Sequence, residues 1–177
     1  MLSAFWVKLP FSVDFNHVLY FTQKSGVDMN YSGSCLCGSV KFSFPYDPML
    51  QFKCHCKVCQ KVFGNSLHAL AMPLDELTLH GDLSRNTVTG GSGSDLHYNF
   101  CPKCGTFIFN KPDLLDPMVY IPAGLLDGQI EFFPTVELWT RDKPSSTPEA
   151  PTTMATFEDN GTAERLTEML ENLDQRP

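Results

Sequence analysis

The chain has 177 residues, which at roughly 150 residues per domain is one domain with a short remainder. Its 20 acidic residues against 13 basic ones give a net charge of −7, excluding the basic face that sequence-independent nucleic-acid binding or a polybasic membrane surface would need. Hydrophobic residues at 42% supply an ordinary core, and no apolar run approaches the ~20 residues of a membrane helix.

Residues 1–30 are apolar and aromatic without clear periodicity, and read as an N-terminal extension packed on the domain or partly mobile. Polar residues interrupt this stretch and no small-residue cleavage site follows it, so it does not read as a secretory signal. The first arginine is Arg85, which argues against a mitochondrial transit peptide. From Ser32 to about Lys143 the pattern is β. In Ser39–Phe44, Val40, Phe42 and Phe44 alternate with polar residues at a period of two. Leu67–Met72, Leu77–Leu79, Leu96–Phe100, Thr106–Phe109, Met118–Ile121 and Ile130–Trp139 are further strands, separated by turn formers such as Gly81-Asp82, Gly90–Gly93, Lys111-Pro112-Asp113 and Asp127-Gly128. Many short strands with frequent turns predict an all-β sandwich or barrel.

After Trp139 the composition shifts. Pro144, Pro148 and Pro151 among Ser and Thr read as an extended linker. Beyond it Ala163, Leu166, Met169, Leu170 and Leu173 fall on one face of a short helix, with Asn160 or Thr162 as its N-cap. That helix covers the sheet of its own chain or serves as a docking element. The domain organisation is an extension over 1–30, a β domain over 31–143, and a linker with a helix over 144–177. Nothing in the sequence sets the oligomeric state.

Seven cysteines is an odd count, so a fully paired disulfide framework fails on arithmetic. The expected compartment is reducing and cytoplasmic, where clustered cysteines mean metal or redox chemistry. They fall into three groups: Cys35 and Cys37; Cys54, Cys56 and Cys59; Cys101 and Cys104. Close pairs let two thiolates reach one ion from a single turn, and the first and last groups together make a closed four-thiolate shell, the pattern of a structural zinc. The middle group supplies three thiolates and leaves a fourth position for water or substrate, the pattern of a catalytic zinc. His68, or less readily His55, could instead close the middle site and make it structural. No four-cysteine run matches a ferredoxin spacing, which disfavours an iron–sulfur cluster. Around the middle group Lys53, Lys57 and Lys61 sit in a stretch from Met49 to Asn65 without an acid, and could attract the carboxylates of an anionic thiol. A solvated lysine face is the alternative. Gly64 reads as a turn or as a point of close backbone approach to a ligand.

The stretches Gly33-Ser34-Cys35-Leu36-Cys37-Gly38, Cys54-His55-Cys56-Lys57-Val58-Cys59-Gln60-Lys61 with Gly64, and Phe100-Cys101-Pro102-Lys103-Cys104-Gly105-Thr106 resemble the glutathione-dependent formaldehyde-activating enzymes, or S-(hydroxymethyl)glutathione synthases. Ala123–Asp127 and Pro134 are similar to that family too. The resemblance spans roughly 31–140 and extends to centromere protein V, a broad group with many members of no assigned reaction. It implies a β-tent of two packed antiparallel sheets with zinc-binding hairpins, the fold seen also in the Rab guanine-nucleotide-release chaperone. It implies two zinc ions: a structural one on Cys35, Cys37, Cys101 and Cys104, and a catalytic one on Cys54, Cys56 and Cys59. The activity implied is a carbon–sulfur lyase joining glutathione to formaldehyde or another small aldehyde, with Lys57 and Lys61 as candidate substrate-binding residues. A larger electrophile, or a non-catalytic zinc scaffold for a protein partner, are the alternatives. Gln60 stands where the family usually has a basic residue, and Lys143–Ser146 lacks the tryptophan that usually closes the family domain.

Overall fold

The computed structural model describes residues 31–173, so the reading of 1–30 as an extension lies outside the described residues. In chain order the elements are β1 (Tyr31–Ser34), β2 (Lys41–Phe44), β3 (Leu50–Cys54), α1 (Lys57–Phe63), β4 (Leu67–Pro73), β5 (Thr78–His80), β6 (Ser84–Thr89), β7 (Asp95–Phe100), β8 (Phe107–Pro112), β9 (Met118–Pro122), β10 (Val136–Leu138), β11 (Ala155–Phe157) and α2 (Thr162–Leu173). They form a three-stranded sheet in the order β1-β2-β5 and an eight-stranded sheet in the order β11-β10-β3-β4-β9-β8-β7-β6. The all-β class with a short C-terminal helix is therefore the observed one.

The strictly antiparallel expectation needs one correction. β10 runs parallel to both β3 and β11. A parallel pair needs a long crossover, and residues 139–154 make it. The Pro-rich segment is thus not merely a linker: it returns the chain to the sheet edge, where β11 pairs with β10 and Met154 is buried.

Each face of the large sheet is covered. Leu70 and Met72 of β4, Ile108 of β8, and Val119 and Ile121 of β9 meet Val40, Phe42 and Phe44, forming the core between the two sheets. On the opposite face Leu50, Phe52, Ala69, Ala71, Tyr98 and Tyr120 form a second core with Cys59, Trp139 and Met169. That second core holds the candidate site.

Several elements differ from the sequence expectation. The single strand over Ile130–Trp139 shrinks to β10, because Pro134 cannot donate to a ladder. The backbone N–H groups of Phe133 and Thr135 are instead met by the Gln51 side chain and backbone carbonyl. β8 runs on through the expected turn at Lys111-Pro112. β1, β3, β6, β11 and α1 are elements that no expected strand or helix covered. Gly161, at φ 52°, precedes α2 and its carbonyl accepts the first helical hydrogen bond from Arg165 N–H, so neither Asn160 nor Thr162 is the cap. The helix also turns a different face inward. Met169 is buried as expected, but Leu166 and Leu170 are exposed and Arg165 is buried.

Candidate metal centres and the adjoining pocket

The first cluster sits at the junction of two hairpins. Cys35 follows β1 and leads into the β1–β2 turn; Cys101 and Cys104 occupy the β7–β8 turn. Each turn is closed on its first cysteine by a glycine, three residues on in one and four in the other. Gly38 N–H donates to Cys35 C=O and Gly105 N–H donates to Cys101 C=O, each at 2.9 Å, and both glycines are left-handed at φ 70° and 72°. A left-handed residue there folds the chain back beneath its own sulfurs, which a β-carbon would disfavour. The four sulfur atoms lie within 4.8 Å of one another, with Cys35–Cys37 at 3.5 Å and Cys37–Cys101 at 3.8 Å. A tetrahedron of Zn–S bonds of about 2.3 Å has edges of about 3.8 Å, so the donor set fits one zinc ion. Hydrogen-bond donors stabilise the thiolates. Val40 N–H donates to Cys35 Sγ at 3.3 Å, Ser39 Oγ lies 3.0 Å from Cys37 Sγ, and Thr106 Oγ1 lies 3.1 Å from Cys104 Sγ. The Thr106 hydroxyl and amide lower the Cys104 thiol to about 5. Burial works against Cys35, but the Val40 amide and neighbouring groups outweigh it and bring it to about 7.

The second cluster grows from the end of β3. Cys54 is its last residue, Cys56 is the N-cap of α1, and Cys59 lies one turn inside the helix. The Cys56 sulfur accepts the Cys59 backbone N–H at 3.4 Å, so it caps the helix and faces the same point as its neighbours. All three thiols are buried, with sulfurs within 4.8 Å of one another. The Cys54 and Cys59 thiols and the free amides of the helix start hold Cys56 down at about 3. Thiolate character at Cys56 in turn pushes Cys54 up to about 12, and Cys54, Cys56 and burial push Cys59 up as well. Three close thiols of this kind cannot all ionise unless a cation joins them. The donor set therefore fits a soft divalent ion with one further position open.

Neither histidine rival for that position is grouped with the three sulfurs. His55 lies between two of the cysteines, yet its Nε2 is 2.7 Å from Glu137 Oε1 while Lys143 Nζ donates to Glu137 Oε2 at 3.2 Å. His68 sits opposite Lys53 in the β3–β4 ladder, whereas Cys54 sits opposite Leu67. Side chains alternate along a strand, so His68 occupies the other face of the sheet from the Cys54 sulfur, stacked on Phe132 at 5.0 Å. Among the described residues no histidine nitrogen joins the three sulfurs within 4.8 Å, which disfavours the alternative in which a histidine closes the middle site.

The triad lies in the wall of a cleft of about 600 Å³, including space open to solvent. Phe52, Leu67, Leu115, Leu138 and Trp139 make its apolar walls, and the β6–β7 turn from Gly90 to Ser94 forms its rim. Gly91 is required at that rim, since a β-carbon there would stand 2.7 Å from the Trp139 ring. Two polar side chains, Asn110 and Tyr120, line the floor, and Tyr98 stands beside them in register. Tyr98, Asn110 and Tyr120 are direct partners across β7, β8 and β9. Asn110 Oδ1 is buried without a hydrogen-bond partner, and the buried Tyr98 hydroxyl meets the Cys59 thiol. Burial, and then the charges of Cys59, Cys56 and Cys54, push the Tyr98 phenol well above its usual range, which places it beside the triad. Arg165, on α2, closes the far side. Lys57 and Lys61 are exposed on α1 and do not line the cleft, and Lys57 Nζ lies 3.6 Å from Asp142. Gly64, at φ 73°, ends α1 as its C-cap. Gln60 spans two backbone carbonyls, donating to His55 at 2.6 Å and Asp142 at 2.7 Å, and so ties α1 to the chain beyond β10.

Residues 30–142 match the family model described as glutathione-dependent formaldehyde-activating enzyme. The chain belongs to that family. A structure of a Rhodobacter sphaeroides protein from a structural-genomics programme is similar over 55% of this chain and 88% of its own, at 20% identity and a TM-score of 0.41. No curated protein matches the chain in sequence. Both cysteine clusters of this glutathione-dependent formaldehyde-activating family member fall inside the matched residues, while α2 and Arg165 fall beyond them. Sequence reasoning missed Arg165, Asn110 and Tyr98. The available signal was weak: an Arg at 165 four residues before Met169 shares its helical face.

Proposed function

We propose that the three-cysteine cleft is the active site of a carbon–sulfur lyase that joins glutathione to formaldehyde or another small aldehyde. One observation carries this reading. The four-cysteine cluster supplies as many thiols as a tetrahedral shell needs, whereas the other supplies three, in the wall of an apolar cleft. On this reading Cys35, Cys37, Cys101 and Cys104 hold a structural zinc, and Cys54, Cys56 and Cys59 a catalytic one. Zinc at the triad would supply a thiolate at neutral pH, by taking the substrate thiol as fourth ligand, and Lewis acidity towards the carbonyl.

The remaining work belongs to the chain. The substrate sulfur forms the new bond to the aldehyde carbon, the π pair of the carbonyl moves to oxygen, and that oxygen takes up a proton to replace the one the thiol lost. Phe52, Leu67, Leu138 and Trp139 keep bulk water from the reacting atoms. Asn110 Oδ1, buried in the cleft without a partner, offers an acceptor to a substrate that brings its own donors. Lys57 and Lys61 act from outside the cleft, as a positive field on α1 that draws an anionic thiol. Seven free cysteines suit a reducing, cytoplasmic compartment. Among the described residues no helix is long and apolar enough to cross a membrane.

Elemental analysis should find two zinc ions per chain. Addition of the protein to glutathione and ¹³C-formaldehyde should accelerate exchange between free aldehyde and hemithioacetal in the NMR spectrum. Two zinc ions with no acceleration for any small aldehyde would overturn the enzyme reading.

A further inference from the structure

We propose that Arg165 is a substrate-binding residue that grips a carboxylate of the molecule occupying the three-cysteine cleft. This inference rests on the reading of that cleft as a site for a thiol and an aldehyde. It adds the charge that the bound substrate must carry and the residue that recognises it.

Arg165 retains only 5% of its surface exposure. A guanidinium stays charged at any physiological pH, and a buried charge is costly unless it is paired. Among the described residues Arg165 forms no ion pair. Its Nη2 donates to the Tyr120 hydroxyl and its Nη1 donates to the Asn160 carbonyl at 3.3 Å. The guanidinium lies over the rings of Phe52 at 5.1 Å and Tyr120 at 5.2 Å, which holds it flat without cancelling its charge. Its Nε–H has no partner. A guanidinium has five N–H donors in a planar fork, and the Nε–H is left to meet a carboxylate oxygen.

The position of that fork links it to the triad. Arg165 and all three cysteines line the same cleft, and the Tyr120 hydroxyl that Arg165 grips is close enough to Cys54 to feel its charge. A molecule with sulfur or a carbonyl at the cysteines and a carboxylate a few bonds away spans the two. Asn110 Oδ1, buried and unpartnered in the same cleft, is an acceptor for an N–H of that molecule. The apolar walls strengthen the ion pair by keeping water out. The carboxylate can come from glutathione or from an aldehyde that carries one, such as glyoxylate, and the same fork reads either.

The test uses the full zinc-loaded chain and isothermal titration. Wild type should bind glutathione about 30-fold more tightly than N-acetylcysteamine, a thiol without a carboxylate, and than glutathione diethyl ester. Arg165→Gln should abolish that preference while keeping N-acetylcysteamine affinity and zinc content unchanged. If the aldehyde supplies the carboxylate, the variant should instead lose a preference for glyoxylate over formaldehyde in KM, with glutathione affinity intact. The wild-type thiol and aldehyde series decide the matter even if the variant does not fold. No preference for carboxylated thiols or aldehydes in wild type overturns the proposal, as does a preference that survives Arg165→Gln. Loss of zinc in the variant with every preference retained assigns Arg165 to the thiolates instead, and also overturns it. Wild type that binds no thiol at all defeats the lyase reading itself, a different result.

Discussion

Replacing Glu137 with Gln tests whether the strand end that carries the triad is held from behind. Glu137 is buried at the centre of β10 and bridges His55, between two triad cysteines, and Lys143, whose side chain is 10% exposed. Burial pushes the Glu137 carboxyl up, but the hydrogen bonds from His55 and Lys143 outweigh it, and the carboxyl lies below its ordinary value. Glu137→Gln preserves shape and leaves the Lys143 ammonium without its buried counter-ion. Breaking one partner of a buried pair costs 3–5 kcal/mol, and the exposed Glu149 at 4.0 Å from Lys143 offsets part of that, so we expect about 3 kcal/mol. For a chain of this size that is about 9 °C in Tm. Denaturant melts by circular dichroism should show it, and Lys143→Met in the same background should restore at least ~1 kcal/mol. A depressed carboxyl contributes stability above its unfolded value and loses it as pH falls through its folded one. The gap between wild type and Glu137→Gln should therefore be full at neutral pH and close below the ordinary value of 4.5. A shift under about 2 °C, or a gap that widens on acidification, would refute this account of the network.

The two cysteine clusters should respond differently to loss of one ligand. Cys104→Ser should give insoluble or strongly destabilised protein, because the closed site ties two hairpins together. Cys56→Ser should stay soluble with about one zinc and no activity towards glutathione and aldehyde, measured by elemental analysis and NMR. Equal unfolding of both variants would make the triad a second structural site. The double variant Lys57→Ala, Lys61→Ala should weaken glutathione binding about threefold at low salt and not at all at 0.5 M salt, since surface charges act through a screened field. Unchanged affinity at low salt would leave both lysines as ordinary solvated residues.

Much of the fold was readable because its strands alternate. Val40, just before β2, Phe42 and Phe44 of β2, and Leu70 and Met72 of β4 lie in the core that their pattern implies. The partition of the cysteines was readable because metal ligands come in close pairs set by turn geometry, and spacing along the chain records it. The missed elements lacked such a record. β6 reads Ser-Arg-Asn-Thr-Val-Thr and is almost wholly exposed, so it carries no apolar alternation. β11 has three residues and is held by an edge reached through a crossover, which is a tertiary fact. Arg165 was unreadable for a deeper reason. A charged residue on a short amphipathic helix reads as solvent-facing, and only the rings of Phe52 and Tyr120, contributed by β3 and β9, turn it inward.

The hairpin junction has a consequence for how this chain folds. Cys37 and Cys101 are 64 positions apart, and their sulfurs end 3.8 Å from each other. An ion that gathers them in the unfolded chain closes most of the β domain into one loop, with β2 to β7 inside it. Closing a loop of that length costs about 3.7 kcal/mol of chain entropy. An ion bound there early would end that search before either sheet has formed and leave the remaining strand pairings comparatively local. If the cluster holds an ion, metal supply as well as the final packing would set how long the strand edges of the large sheet stay open to other chains.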